Sequence, residues 1–391
     1  LVKETGFDGR VQQYTYNKAG HLIKHQDGNR VITEYERDGI GQMLTRTCRD
    51  INNKQLKEQS QYRYDPKGRL TESINQDQWL KFEFDSLGNL KKEHQASVND
   101  KGQRISASRV KIEYAIQWPN KRSQIILPDG QTIDYIYGED KNKALEKIQF
   151  NGESITEIHR DSLGREMLRS QGEVVTETEY DPMGRLQKQQ AFNLARKQKV
   201  IQREYAYNNF GNLSQLTDGN SETRYIYDLL DRLEKTEGIE TEVFDFDPAG
   251  NIVGINETRI KGEKKQVSGN RLAMQGDKKF TYDERGNLIK EARGKGGKLE
   301  TEFEYNLQNQ LIKVVKNNQT MEYKYDPLGR RIEKKDAFGT TKYLWAGDQL
   351  AQESRNKIKK TYIYEPLSFK PVALVQDNEV YHYHLDHLGT P

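Results

Sequence analysis

One short pattern recurs along this chain and constrains what it can fold into. Its clearest copy is Tyr323-Lys324-Tyr325-Asp326-Pro327-Leu328-Gly329-Arg330. The two tyrosines lie two residues apart, so in a strand they share one face. Asp326 starts a turn by accepting a backbone N–H, Pro327 presets φ, and Gly329 takes the left-handed conformation that reverses the chain. The pattern therefore predicts a β-hairpin tip, with a return strand from Arg330-Arg331-Ile332.

Further copies place the turn residues at Asp65 and Gly68, Asp85 and Gly88, Asp161 and Gly164, Asp181 and Gly184, Asn208 and Gly211, Asp247 and Gly250, and Asp283 and Gly286. Two copies lack the glycine. Asp228 is followed by Asp231 and Asn306 by Asn309, and Asp and Asn are the non-glycine residues that best tolerate positive φ. Where the aspartate is missing, Asn17, Asn208 or Asn306 can make the same side-chain bond. The slot reads as a backbone requirement rather than a chemical one.

The turn residues at 161, 181, 208, 228, 247, 283, 306 and 326 are mostly about 20 residues apart, a repeat-architecture period. About 20 residues suits one turn, two strands and a connection. Longer gaps call for a second turn type, as at Leu127-Pro128-Asp129-Gly130, Gly219-Asn220 and Gly296-Gly297. The expected fold class is all-β. The expected organisation is a repeat array over residues 1–332, irregular at 96–157, followed by a distinct C-terminal part over 333–391. Helix signals are poor, and only Leu194 to Ile201 offers two helical turns.

Composition agrees with an array better than with a solid globule. Of the 391 residues 34% are hydrophobic, against about 45–50% apolar in ordinary domains, yet 22 are tyrosine. A sheet with both faces partly wet suits tyrosine, whose ring packs while its hydroxyl stays hydrated. Charge is balanced, 62 Lys+Arg against 59 Asp+Glu, which argues against nucleic acid as a partner. The basic runs Arg293–Lys298 and Lys357–Lys360 read as solvated edges. Cys48 is alone, so no intrachain disulfide framework exists. No apolar run reaches the length of a membrane span, and no signal peptide is visible. A first residue of Leu1, already inside the repeat pattern, suggests an excised or processed piece.

The units resemble those of the Rhs/YD-repeat family, which includes bacterial Rhs proteins, insecticidal toxin-complex C subunits and animal teneurins. Two features carry the resemblance: the run of Tyr-x-Tyr-Asp-x-x-Gly units over most of Tyr14 to Ile332, and the ending Tyr364-Glu365-Pro366 to Pro371-Val372-Ala373 with His384-Leu385-Asp386-His387-Leu388-Gly389-Thr390-Pro391. The resemblance implies a hairpin strip that spirals into a hollow shell, or cocoon, here a partial one. It implies that the shell encapsulates a C-terminal toxin domain of the same polypeptide, with delivery by type VI secretion in competition between bacteria. Secretion-spike proteins, and an immunity protein acting on the toxin, would be partners. The protein would be made in the cytoplasm and then secreted or injected. Autoproteolysis would occur only at a motif of the Asp-Pro-x-Gly-Leu kind beyond Pro391, which this sequence does not contain, nor does it contain a toxin domain. The Asp-Pro pairs at Asp65, Asp181, Asp247 and Asp326 belong to repeat turns. The alternatives are a surface adhesion or glycan-binding protein and an insecticidal toxin-complex component.

The core signature His384, Asp386, His387, Gly389 and Pro391 includes the best candidates for chemistry. Alternation would place His382, His384 and Asp386 on one strand face, a plausible metal-ligand set. The competing and preferred reading is a structural signature ending a strand, with no metal and no cofactor. Nothing resembles a nucleophile elbow or a phosphate-binding loop. Cys48 lacks a nearby histidine and reads as an inert thiol. Trp79, Trp118 and Trp345 read as packing residues rather than sugar platforms. The chain is therefore expected not to be an enzyme, and a piece with open sheet edges is expected to self-associate.

Overall fold

Five residues set the geometry of each hairpin. In the computed structural model, which describes residues 1–6, 9–28, 30–99, 101–114, 121–139, 143–246, 248, 250, 252–255, 266–268, 271–275, 277–294 and 299–390, Asp326 N–H donates to the Arg330 carbonyl at 3.0 Å and Gly329 N–H to the Asp326 carbonyl at 3.0 Å. Gly329 sits at φ +89°. This is a tight turn followed by a left-handed residue that forms a bulge. The register records the bulge: Lys324 faces Glu333, but Tyr325 faces Arg331. The same shift falls at the residue before the turn at Tyr64, Tyr180, Tyr207, Tyr227, Tyr282 and Tyr305. Asp231 and Asn309 hold the glycine slot at φ +58° and +62°.

Among the described residues there are 36 strands and no helix. No helix is long and apolar enough to cross a membrane. The strands are antiparallel and belong to sheets of 23 and 13 strands. The chain is thus all-β. Leu194 to Ile201 does not make helical turns. Residues 194–197 form a turn, and the strand Gln198–Tyr207 follows at once, with Ile201 facing Ala191 on one side and Tyr205 and Tyr207 facing Leu216 and Leu213 on the other. Asn99 and Gly102 close a turn with the same backbone bonds as Asp326 and Gly329, and so do Leu127 and Gly130.

Two compact units emerge, each built from two separate stretches of chain. The first comprises Leu1–Tyr114 and Lys264–Thr361, the second Ala115–Glu263 and Tyr362–Pro391. In the first unit, strands from Lys3–Thr5 to Arg104–Tyr114 pair in sequence order. Strands from Gln266–Ser268 to Ile358–Tyr364 form a second ordered run. Its buried side chains include Leu80, Phe82, Val110, Ile112, Val314 and Ile332. In the second unit the run extends from Arg122–Ile126 to Ile252–Ile255, and Pro371–Gln376 pairs with Glu379–His382. Ile133, Ile148, Ile158, Val372 and Ala373 are buried there. Small polar side chains share the interior with the aliphatics, among them Thr47, Ser60, Ser73, Thr156, Thr176 and Thr361. That is how so little apolar material suffices.

Candidate functional site

The aspartate of the repeat works with both carboxylate oxygens. Asp326 Oδ1 accepts the backbone N–H groups of Leu328 and Arg330, each at 2.9 Å, which satisfies donors the turn would otherwise leave unpaired. Oδ2 accepts Arg330 Nε at 2.6 Å. The pair recurs at 2.7 Å in Asp65–Arg69, Asp161–Arg165, Asp181–Arg185 and Asp228–Arg232. The backbone N–H and guanidinium of the following arginine hold Asp65 and Asp228 below the usual carboxylate range.

Each clamped arginine then reaches the next hairpin. Its guanidinium carbon lies over Phe84 from Arg69 at 4.6 Å, Tyr180 from Arg165 at 4.9 Å, Tyr207 from Arg185 at 4.5 Å and Phe246 from Arg232 at 4.5 Å. These are cation–π distances. Where asparagine replaces the arginine, Asn89 and Asn287 bond Asp85 and Asp283 at 2.9 Å. Asn212 Nδ2 donates to Asp231 at 2.9 Å, and Asn287 Nδ2 to Asn309 at 2.8 Å. The two non-glycine turn residues thus also tie neighbouring turns. The slot has a chemical role as well as a backbone one.

In the first unit, the turns of the later run dock on strands of the earlier run. Arg285 reaches Asp27 at 3.1 Å. Leu307 is buried with Val31 and Cys48, while its N–H donates to Glu58 Oε1 at 3.0 Å and Gln308 Nε2 donates to Oε2 at 3.2 Å. Tyr62 hydroxyl donates to the Pro327 carbonyl at 3.1 Å, and Asn75 Nδ2 to the Tyr325 carbonyl at 2.9 Å. Gln95 meets both backbone groups of Trp345, at 2.6 and 3.4 Å.

The strongest electrostatic feature of this docking is Glu93. Its carboxylate is fully buried and accepts Arg330 Nη2 at 2.7 Å, Gln95 Nε2 at 3.1 Å and Gly347 N–H at 2.8 Å. Arg330 therefore bridges two buried carboxylates, Glu93 and Asp326. Burial pushes the Glu93 carboxyl up, opposed by Arg330.

In the second unit, the signature around Asp386 is another copy of the repeat turn. Asp386 N–H donates to the Thr390 carbonyl at 2.8 Å, Gly389 N–H to the Asp386 carbonyl at 3.1 Å, and Asp386 Oδ1 accepts Leu388 and Thr390 N–H at 2.9 Å. The turn docks like those of the first unit. His387 tilts against Tyr205 at 5.3 Å, Gln189 Nε2 donates to the Leu385 carbonyl at 3.4 Å, and Gln171 Nε2 to the Val372 carbonyl at 3.1 Å. Arg169 is held between Glu166 and Glu365, at 2.6 and 2.5 Å. A cavity of about 380 Å³ lies between this segment and the strands around Arg169 and Thr178, with Tyr383 and His384 on its wall.

His382, His384 and Asp386, the alternative metal-ligand set, do not lie along one strand. The strand Glu379–His382 ends at His382, so the alternation stops there, and Asp386 is occupied by its own turn. Among the described residues no three His, Cys, Asp or Glu side chains are grouped to hold a metal. Burial lowers the His382 and His384 pKa values, with Arg169 adding to the effect at His384. Cys48 is buried, its thiol pushed up by burial. Trp79 lies under Arg104 at 4.0 Å, and Trp345 Nε1 donates to the Arg331 carbonyl at 2.9 Å. Asp247, Pro391, Trp118 and the Gly296-Gly297 turn lie outside the described residues.

Reading the sequence left several of these residues unassigned. The residue four after the turn aspartate or asparagine is Arg or Asn in most copies and Gln310 in the Asn306 copy, and that regularity was the available signal for its second bond. Asp27, Glu58 and Glu93 gave no local signal, because their partners lie some 250 residues away.

Taken together, the fold and its docked turns define a protein class, an all-β array of Tyr-Asp hairpins linked turn to turn. The sequence model of the teneurin YD-shell family matches residues 153–391, and the chain belongs to that family of Rhs/YD-repeat proteins. Over 456 aligned residues it is 29% identical to Double-stranded DNA deaminase toxin A of Burkholderia cenocepacia (strain H111), covering 100% of this chain and 30% of that protein. It is also 29% identical over 163 residues to the Probable deoxyribonuclease RhsB of Dickeya dadantii (strain 3937), covering 40% of this chain and 11% of that one. The chain thus spans less than a third of the length of these curated relatives. Among solved structures, TcdB2-TccC3 superposes with a TM-score of 0.68 at 12% identity, covering 99% of this chain and 24% of that one. The Photorhabdus luminescens Tc holotoxin pore does so at 0.63 and 12%, covering 96% and 23%. At such identity the likeness concerns the fold.

Proposed function

We propose that this chain is part of the wall of an Rhs-type toxin shell, and that the shell encloses a toxin domain carried on the same, longer polypeptide. The observation that carries this reading is the alignment of the whole chain with under a third of a protein named as a DNA deaminase toxin. Hairpin arrays of this kind are suited to walls. Many turns are tied to their neighbours through an arginine or an asparagine, and small polar side chains share the interior with aliphatics. In this reading the wall has no catalytic role of its own, and the toxin chemistry resides elsewhere in the polypeptide. Delivery by type VI secretion is part of the proposal and rests on the family resemblance.

The test is to express the native polypeptide with its own sequence beyond Pro391 and analyse it under native and denaturing conditions. A downstream segment that co-purifies with the hairpin array, and resists added protease until the array is unfolded, supports enclosure. A downstream segment digested at once while the array stays folded rules enclosure out.

A further inference from the structure

Four consecutive turns of the second unit carry a large apolar side chain at the third turn position. These are Leu163, Met183, Phe210 and Leu230, exposed to 75%, 79%, 84% and 72%, with Leu229 fully exposed beside the last. The turns join neighbouring strand pairs of one ordered run. Successive tips are therefore two strands apart, about 9.5 Å, and the row spans roughly 29 Å.

Exposed apolar tips elsewhere, such as Ile40, Leu87, Phe338 and Leu388, form no unbroken row of four among the described residues. In the docked turns of the first unit the tip residues are engaged: Arg285 with Asp27, Leu307 with Val31 and Cys48, and Gln308 with Glu58. In the earlier run of that unit the corresponding tips are Ala19, Ile40, Lys67 and Leu87, where a lysine and an alanine break the apolar row. An unbroken, undocked apolar row occurs at 163–230.

We propose that this row is a docking surface for a second copy of this chain, the two rows running antiparallel and interdigitating. A comb with a period of about 9.5 Å leaves a gap between teeth that admits one side chain. It is therefore complementary to itself displaced by half a period. The sheet twist turns the row gradually, and an identical copy carries the same spacing and the same twist. Charge permits like rows to meet: the arginines that flank the tips, Arg165, Arg185 and Arg232, are each neutralised by their turn aspartates. Five apolar side chains of on the order of 150 Å² each give roughly 1,500 Å² for a pair of copies, within the range of specific dimers.

The experiment is sedimentation equilibrium of the 391-residue chain over a micromolar concentration series, with two variants. The expected result is a dimer whose dissociation constant rises at least about 100-fold in the double variant Met183→Glu, Phe210→Glu, which sets like charges against each other across the antiparallel rows. The control variant Phe338→Glu, at an exposed apolar tip outside the row, is expected to leave the dimer intact. Compared at concentrations below the wild-type dissociation constant, where all are monomers, the three proteins should share one thermal midpoint, since the altered side chains then touch solvent. A wild-type chain that stays monomeric throughout overturns the proposal. So does a dimer indifferent to the double variant, or one dispersed equally by Phe338→Glu, which would indicate general stickiness.

Discussion

Replacing Arg330 with methionine strands two carboxylates in the interior of the first unit. Arg330 is the cation that Asp326 and Glu93 share, at 2.6 and 2.7 Å. Both acidic side chains are fully buried and the arginine nearly so. Removing one partner of a buried ion pair typically costs about 3–5 kcal/mol, because an uncompensated charge stays behind. The same motif position at Arg232 is 33% exposed, and solvent partly screens its pair. Arg232→Met should therefore shift the unfolding midpoint only slightly. Urea unfolding followed by tryptophan fluorescence reports the change locally, since Trp345 lies 5.7 Å from the guanidinium carbon.

Adding Glu93→Gln to Arg330→Met removes one stranded charge, so the double variant should be more stable than Arg330→Met alone, a coupling readable from the cycle. The pH dependence has a definite sign. Without Arg330 the folded-state pKa of Glu93, already pushed up by burial, rises further above its unfolded value. The stability associated with its protonated form is present below the unfolded pKa and is lost as pH rises through the folded one. The deficit of Arg330→Met should thus be smallest in acid and grow toward neutrality. A single-variant loss under about 1 kcal/mol, or a double variant no better than the single, would refute the reasoning.

Three further outcomes follow from the geometry. Gly184 sits at φ +82° with open space around its Cα, so Gly184→Val should cost about 1–2 kcal/mol of backbone strain while Gly184→Asn is tolerated, as Asn309 is in its own turn; equal losses in thermal or urea unfolding would contradict this. The Tyr135 phenol, buried and donating to the Tyr364 carbonyl at 3.2 Å, is pushed up to about 12 by burial. Its contribution to a spectrophotometric titration, isolated by difference against Tyr135→Phe, should rise near pH 12, and a rise near the ordinary value of 10.0 would contradict the burial. His382 and His384, lowered by burial, should titrate below the ordinary histidine value in NMR. Their neutral forms support the fold above the unfolded pKa, and that support is lost as pH falls through the folded values; ordinary titration of both rings would contradict their burial.

The hairpin tips were legible in the sequence because everything they need is local. Asp, Pro and Gly at fixed offsets set φ, supply the acceptor and reverse the chain within five residues, so Asp65, Asp181 and Asp326 could be placed without knowing their neighbours. Even the substitutions Asp231 and Asn309 obey the same backbone rule. The turn at Asn99 escaped because it lacks the tyrosine pair, although the backbone closes identically, whereas the turn at Leu127 was legible from its Asp-Gly pair. Asp386 escaped for another reason: its histidines suggested metal chemistry, while its Asp-x-x-Gly spacing already specified a turn.

Which turns dock, and on what, was decided by tertiary structure alone. Asp326 and Asp228 belong to the same motif, yet one is fully buried beside Glu93 and the other stays partly exposed. Their local differences, Leu229 for Pro327 and Asp231 for Gly329, leave the turn itself unchanged. The difference comes from strands some 240 residues away, where a glutamate on one strand and a turn on another meet only after both runs of hairpins have formed. Local backbone chemistry fixes the repeat; burial, and with it the energy of each ion pair, depends on long-range pairing that no local pattern encodes.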